Sequence, residues 1–320
     1  MIRFLNPYEL IIDTKNFLYD KSFLKQIPVT TKIISIGNLN TGGSGKTPFI
    51  QYLVRHFFEN KNVLIVCKSY KAKLKSPQKI NLNDFKAVEI YGDEACLLQQ
   101  LLPHTTVWSG PSKSHTVIAA LAEFNKYDVI LIDDGFSHRK LFRHKDVVLI
   151  DASQKTSLYK ILPFGFMREG WKTLIRANLV ILTKTQGVSL EQKIFFTEKI
   201  LPYQKNLISA EYQPQLNSAT KNIFLIAGIG NPQKLYDDLL SQGFNIVIKK
   251  FYPDHYAFSE TEQTILLHMC NQYNDVQPVM TAKDYIKITN QQLKNVIKVI
   301  ELSIHISEAD KGVLYDKILS

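Results

Sequence analysis

Cysteine is scarce. Cys67, Cys96 and Cys270 are the only three in 320 residues, and no two form a C-x-x-C pair. That excludes a disulfide framework and a cysteine-rich zinc site, and it suits a reducing compartment. Long apolar runs are also missing: nothing approaches the roughly 20 residues that a membrane-crossing helix needs. The first 27 residues do not read as a secretory signal, because Glu9, Asp13 and Asp20 interrupt them and no small-residue cleavage site follows. A cytoplasmic location is therefore expected. No internal repeat, low-complexity tract, zinc finger or RNP motif is found. What is present is a hydrophobic content of 45%, ample for a packed core, and a net charge of +10. Such a charge attracts phosphates, nucleic acid or anionic lipid and does not choose among them. The length suits one large or two medium domains.

The most informative stretch is Lys32 to Phe58, KIISIGNLNTGGSGKTPFIQYLVRHFF. Ile33, Ile34 and Ile36 read as a buried strand. A small-residue turn follows, Thr41-Gly42-Gly43-Ser44-Gly45, then Lys46-Thr47. Phe49, Ile50, Leu53, Val54 and Phe57 recur at helical spacing, with Pro48 near the helix start. Strand, glycine turn, Gly-Lys-Thr and helix make a P-loop. The turn's N–H groups and the helix N-terminus suit an anion. Lys46 can reach β- and γ-phosphates, and the Thr47 hydroxyl can ligate Mg²⁺. Asn40 stands where the first glycine of the pattern is usual, and asparagine tolerates positive φ better than most residues.

Elsewhere strands and helices alternate, which predicts a P-loop NTPase-type α/β fold: a doubly wound, mostly parallel sheet with a second, smaller α/β lobe. Residues 1–27 read as an amphipathic helix with Phe4, Leu5, Tyr8, Ile11, Ile12 and Leu18 on one face. It either lies on a bilayer or packs on its own domain. Residues 28–215 are expected to form the P-loop core and 216–320 the smaller lobe. Asn62–Val66 predicts a strand leading into the lysine-rich 68–79, which is either a solvated loop or a holder of anionic substrate. Val88–Tyr91 predicts a strand ending at Gly92-Asp93-Glu94. YDVILIDDGFSH, 127–138, predicts a buried parallel strand with Asp133 and Asp134 at its tip, where an acid holds Mg²⁺ in P-loop enzymes.

Taken together, the motifs resemble the tetraacyldisaccharide 4′-kinases of lipid A biosynthesis. The resemblance rests on IGNLNTGGSGKTPF (36–49), YGDEACLL (91–98), DDGFSH (133–138), LPFGFMRE (162–169), AGIGNP (227–232), YPDHYAFSE (252–260) and TAKDYIK (281–287), in the family's order and over nearly the whole chain. It implies two α/β lobes joined by a short β linker, with ATP at the cleft. It also implies transfer of the γ-phosphate to the 4′-hydroxyl of a tetraacylated glucosamine disaccharide 1-phosphate, at the cytoplasmic face of the inner membrane. No nucleic acid and no obligate protein partner are expected. Departures from the family pattern are Lys68 and Ser69 after the second strand, Ser137 where glutamine is usual, and Lys113 where an arginine is expected. Lysine keeps the charge but loses the bidentate fork.

On that reading, Thr41, Gly42, Gly43, Ser44, Gly45, Lys46 and Thr47 bind nucleotide, and Thr47, Asp133, Asp134 and Glu169 are metal candidates. Lys46 and Arg168 neutralise charge, and Asp93 is the general base with His255 as its partner. From the residues alone, Asp93 reads first as a helix N-cap, His255 as a surface loop histidine, and Arg168-Glu169 as an exposed ion pair. The competing function is a GTP-dependent switch or metallochaperone, suggested by LTKTQ (182–186). Gln186 lacks the acid that pairs with guanine. Nucleic-acid binding has only the charge in its favour.

Overall fold

A computed structural model describes residues 6–69, 72–273 and 275–319. Helix α1 (Pro7–Asp20) precedes the sheet. Strand β1 (Lys32–Asn38) then leads through the glycine turn into α2 (Lys46–Phe57), followed by β2 (Val63–Lys68), β3 (Gln78–Lys79), α3 (Ala87–Tyr91) and α4 (Asp93–Leu101). Next come β4 (Thr106–Gly110), α5 (Lys113–Glu123), β5 (Val129–Asp133), β6 (Lys145–Asp151), β7 (Leu179–Thr183), α6 (Leu190–Ile200) and β8 (Leu207–Gln215). The smaller lobe adds β9 (Asn222–Ala227), α7 (Pro232–Ser241), β10 (Asn245–Phe251), α8 (Glu260–Asn271), β11 (Gln277–Thr281), α9 (Ala282–Tyr285), α10 (Gln291–Val296) and β12 (Lys298–His305), and α11 (Glu308–Leu314) closes the chain.

The twelve strands run β10-β9-β11-β12-β8-β7-β6-β1-β5-β2-β4-β3. All neighbouring pairs are parallel except β12 with β8 and β3 with β4. Ile33, Ile34, Ile36, Leu131, Val147 and Ile181 are fully buried, as strands covered by helices on both faces require. In the register Ile36 lies opposite Asp133, so the P-loop and the acid of β5 emerge side by side at the carboxyl edge of the sheet. Ligands bind at that edge in open α/β sheets.

Strands β8 and β12, not foreseen in the sequence, carry the sheet from one lobe to the other. The first half of β8 pairs parallel with β7, and its second half antiparallel with β12. Val88–Tyr91, expected as a strand, is the helix α3 instead. The free edge of β4 is taken by β3, and Ala87 and Tyr91, one helical turn apart, are the buried residues of the segment. The end of the chain departs from the expected 216–320 lobe. Ile306, Leu314 and Ile318 join the core formed by β1, α2 and α4.

Helix α1 does not present its expected apolar face as a unit. Asn6 caps it, accepting from Tyr8 and Glu9 N–H groups. Tyr8, Ile12 and Leu18 are half-buried, whereas Ile11, Leu10 and Phe17 face solvent; Phe4 and Leu5 lie outside the described residues. The reason is Asn16, a buried polar residue held between Glu169 and Arg139, which fixes which side turns inward. Among the described residues no helix is long and apolar enough to cross a membrane.

Candidate active site

The P-loop is held almost entirely through its carbonyls. The Gly42 carbonyl accepts from Asn38 at 3.1 Å, that of Gly43 from Lys184 Nζ at 3.0 Å, that of Ser44 from Thr183 at 3.1 Å and that of Gly45 from the Tyr212 hydroxyl at 3.0 Å. Thr41 N–H donates to Phe166 at 2.7 Å. The Ser44 N–H donates to the Gly42 carbonyl at 3.1 Å, which leaves the amides of Gly42, Gly43 and Gly45 and of the first turn of α2, which begins at Lys46-Thr47, for an anion. Gly45 has φ 87°, and a Cβ there would meet the Tyr212 ring at 2.7 Å, so only glycine fits. Asn40 is not among the residues with positive φ. It bridges Met167 in extended backbone and donates to Gln154 at 3.4 Å, so its tolerance of φ > 0 is not what makes it suitable.

Asp134 gathers the cations. Arg168 forks onto its carboxylate at 2.6 and 2.8 Å, and Lys46 Nζ lies 3.5 Å away. Lys113 donates to the Asp134 carbonyl, with its ammonium 4.0 Å from the carboxylate. Burial opposes the Asp134 charge, but Arg168, Lys46 and Lys113 more than offset it and hold the carboxyl well below its usual range. Lys113 is itself pushed down by burial, against the pull of the two acids. Asp134 adopts φ 53°, a conformation that costs energy for a non-glycine residue and is found at functional sites.

Asp133 is the opposite case. It is buried at the tip of β5, and its Oδ1 has no hydrogen-bond partner. Desolvation, with the charge of Glu94, pushes it up to about 7. A buried carboxylate with an unpaired oxygen beside a phosphate cradle suits a divalent cation, whose charge reverses that shift. Ser44 Oγ and Arg168 Nε are likewise buried and unpartnered. Among the described residues no cluster of three or more His, Cys, Asp or Glu would hold a metal unaided.

Glu169 does not join this group, contrary to the sequence-based expectation. Its buried carboxylate is paired with Arg176 and accepts from Asn16 at 3.2 Å, which turns it toward α1. The guanidinium of Arg176 also stacks over Phe136. Removing either member of such a buried pair typically costs about 3–5 kcal/mol, so a structural role accounts for it.

Asp93 and His255 come from different lobes and meet, His255 Nδ1 lying 2.7 Å from Asp93 Oδ2. Asp93 is the first residue of α4, not its cap. The cap position is Gly92, and the Asp93 side chain accepts only from its neighbour Glu94 N–H on its own helix. His255 has φ 61°, its backbone N–H tied to Asp254 at 3.0 Å. The charge of Glu94, next to Asp93, helps to raise Asp133.

Asp151 was not singled out in the sequence, and Thr183 and Lys184 were singled out only as part of the base-reading pattern LTKTQ. Lys184, at φ 56°, bridges Gly43 and the buried Asp151 at 2.5 Å, and Thr183 supports Ser44. LTKTQ thus clamps the P-loop, while Gln186 points to solvent, which disfavours the switch-protein alternative. In the lysine-rich 68–79, Lys73 pairs with Glu89 at 2.7 Å; Tyr70 and Lys71 lie outside the described residues.

Comparison with known proteins gives one consistent result. The family model for tetraacyldisaccharide-1-P 4′-kinase matches residues 3–320. The tetraacyldisaccharide 4′-kinase of Bdellovibrio bacteriovorus is 29% identical, over 97% of this chain and 95% of its own. That of Rickettsia akari is 32% identical over 94% and 89%. The crystal structure of LpxK from Aquifex aeolicus in complex with ATP superposes with a TM-score of 0.76 at 26% identity, covering 97% of this chain and 96% of that one.

Proposed function

Because the chain belongs to the tetraacyldisaccharide 4′-kinase family, it is an ATP-dependent lipid A 4′-kinase, and we propose that it runs the reaction with the residues gathered at the carboxyl edge of its sheet. Phosphoryl transfer needs positioning and charge neutralisation more than covalent chemistry. The amides of Gly42, Gly43 and Gly45 cradle the phosphates, and Thr41 and Ser44, whose N–H groups are bonded within the protein, border them. Lys46 and Arg168 leave Asp134 for the charge that develops on the transferring group. Thr47 with Asp133 and Asp134 would hold Mg²⁺, which would supply neutralisation of the phosphate charge. Asp93 takes the proton from the acceptor hydroxyl as the oxygen attacks, and His255 orients Asp93 and shares its charge. Glu169 is left out of the metal set.

The single observation that carries this reading is the 2.7 Å contact between Asp93 and His255 across the lobes, beside a P-loop with an unpaired Asp133 oxygen. The acceptor it supports is the sugar hydroxyl of an acylated disaccharide 1-phosphate. Approach to that lipid is through a bilayer surface. Leu10, Ile11 and Phe17 on α1, with Phe23, Phe164 and Ile175, expose large apolar side chains, and the net charge of +10 favours an anionic membrane. The side of the membrane proposed is the cytoplasmic one, where ATP is available.

The test is incubation with ATP, Mg²⁺ and a tetraacylated disaccharide 1-phosphate, with mass spectrometry of the lipid. Gain of one phosphate on the distal sugar is expected. ATP hydrolysis without lipid phosphorylation would contradict the assignment.

A further inference from the structure

The face of His255 turned away from Asp93 is occupied too. Lys283 Nζ lies 3.3 Å from His255 Nε2 and 2.8 Å from Asp254 Oδ1, the oxygen that also accepts from the His255 backbone N–H. Asp254 Oδ2 is 3.8 Å from Nε2, too far to bond it. An ammonium has three donors and no acceptor, so the Nε2 it meets must offer a lone pair. The ring proton then sits on Nδ1, facing the Asp93 carboxylate, which has only acceptors. The two contacts therefore demand one neutral tautomer.

Lys283 is placed for this by a buried frame. It lies on the short α9, whose Asp284 is fully buried. Asp284 accepts from Gly228 N–H at 2.8 Å and from Thr281 at 2.8 Å, and it pairs with Lys287 at 2.9 Å. A Cβ on Gly228 would meet Asp284 at 3.1 Å and the Pro253 carbonyl at 3.3 Å. Closeness at Gly228 thus locks α9 to the loop that carries Asp254 and His255. A solvated surface lysine would have no such frame.

We propose that Lys283 is a positioning residue of the kinase reaction: held by Asp254, it donates to His255 Nε2 and so keeps the ring proton on Nδ1, aimed at Asp93. With Nδ1 protonated and Nε2 engaged, His255 orients the base and Asp93 receives the hydroxyl proton. The proposal rests on the reading of Asp93 and His255 as the base unit.

The test compares wild type, Lys283→Met and Lys283→Arg as full-length enzyme in detergent micelles. Each is followed by kcat, by KM for ATP, and by long-range ¹H–¹⁵N spectra of ¹⁵N-histidine-labelled protein. The His255 signal is assigned by its loss in His255→Gln. Wild type is expected to show His255 neutral with its proton on Nδ1. Lys283→Met should leave Nε2 free to take up a proton of its own, so that the neutral Nδ1–H form is lost, and lower kcat about 10-fold or more, a part of the factor a positioned base supplies, with KM for ATP unchanged. Arginine is always a donor, so Lys283→Arg should restore the tautomer and most of kcat. A wild-type ring protonated on Nε2, or on both nitrogens, overturns the proposal even if Lys283→Met fails to fold. So does a folded Lys283→Met enzyme with kcat within twofold of wild type. If Asp93→Ala and His255→Ala also keep wild-type kcat, the base assignment itself has failed. If they lose activity while Lys283→Met does not, only the positioning role has.

Discussion

On the large lobe, Asp133 and Lys113 are buried, Lys46 is nearly so, and the P-loop is held by backbone carbonyls. Across the cleft, Asp93 and His255 meet by side chains alone, from different lobes, and about a third of the imidazole stays exposed, with relative accessibility of 35%. The difference follows from the chemistry each half serves. Neutralising a transferring phosphoryl group is worth most where water is excluded and the donors are fixed in advance. Removing a proton needs only a base aligned at the right moment, and a pair split between lobes is complete only when the lobes are apposed. On the proposed roles, the nucleotide half is buried and charged, and the acceptor half is open and assembled.

That contrast can be broken from either side. The largest effect is expected from the acceptor half: Asp93→Ala or His255→Ala should lower kcat about 10²–10⁴-fold, the contribution of a positioned base, with KM for ATP little changed. Comparable weakening of ATP binding would merge the two halves into one. Next, Lys46→Ala should lower kcat about 10²–10³-fold, as losing one charge-stabilising donor does, in a protein that still melts cooperatively. Near-wild-type turnover would return Lys46 to the status of a surface lysine.

Much of this contrast is written in the sequence, but unevenly. The P-loop and the acid at the tip of β5 announce themselves because each is a local pattern: apolar run, turn, charge. Their partners do not. Lys184 and Asp151 are far apart in the chain and clamp the P-loop only because β6 and β7 are neighbours in the sheet. LTKTQ suggests a base-reading motif, whereas its Thr183 and Lys184 support the loop's carbonyls. Glu169 looks like a ligand because it follows Arg168, yet one residue further along the bend its carboxylate meets Asn16 and Arg176 instead. Strand β8 alternates buried and exposed positions, Ile208, Ala210, Tyr212 and Pro214 inward, a period that could have revealed it. Val88–Tyr91 carries strand-forming residues and still folds as a helix, because the edge it would have joined is occupied by β3.

Helix α1 sharpens the comparison, since it braces the nucleotide half without touching the acceptor pair. Tyr8 reaches the Arg168 carbonyl at 3.3 Å, and Asn16 holds Glu169. Replacing the solvent-facing Leu10, Ile11 and Phe17 together with serine should leave the fold intact. It should weaken partition into anionic vesicles about 10²-fold, given ~1.5–3 kcal/mol per fully inserted side chain and only partial insertion here. Equal sedimentation of the variant with vesicles would move the membrane contact elsewhere.

The smallest effect concerns pH. Asp133 is raised by burial to about 7 from an ordinary value of 3.8. The folded protein thus holds this proton more tightly than the unfolded chain. The stability it lends is full below the ordinary value and is lost as pH rises through about 7. A cation beside Asp133 needs it ionised, so Mg²⁺·ATP should bind about tenfold more tightly at pH 8 than at pH 6 and release close to one proton at the lower pH. Calorimetry in two buffers of different ionisation enthalpy measures that release. Asp133→Asn should abolish it, whereas Asp134, already ionised by Arg168, should contribute none.

The assembled character of the acceptor half is tested most directly by a double-mutant cycle on kcat, with Asp93→Ala, His255→Ala and the pair measured at saturating ATP and lipid. Groups that act as one unit are non-additive, so the double variant should be scarcely slower than the slower single. Losses that multiply would mean two independent roles and would contradict a base unit built across the lobes.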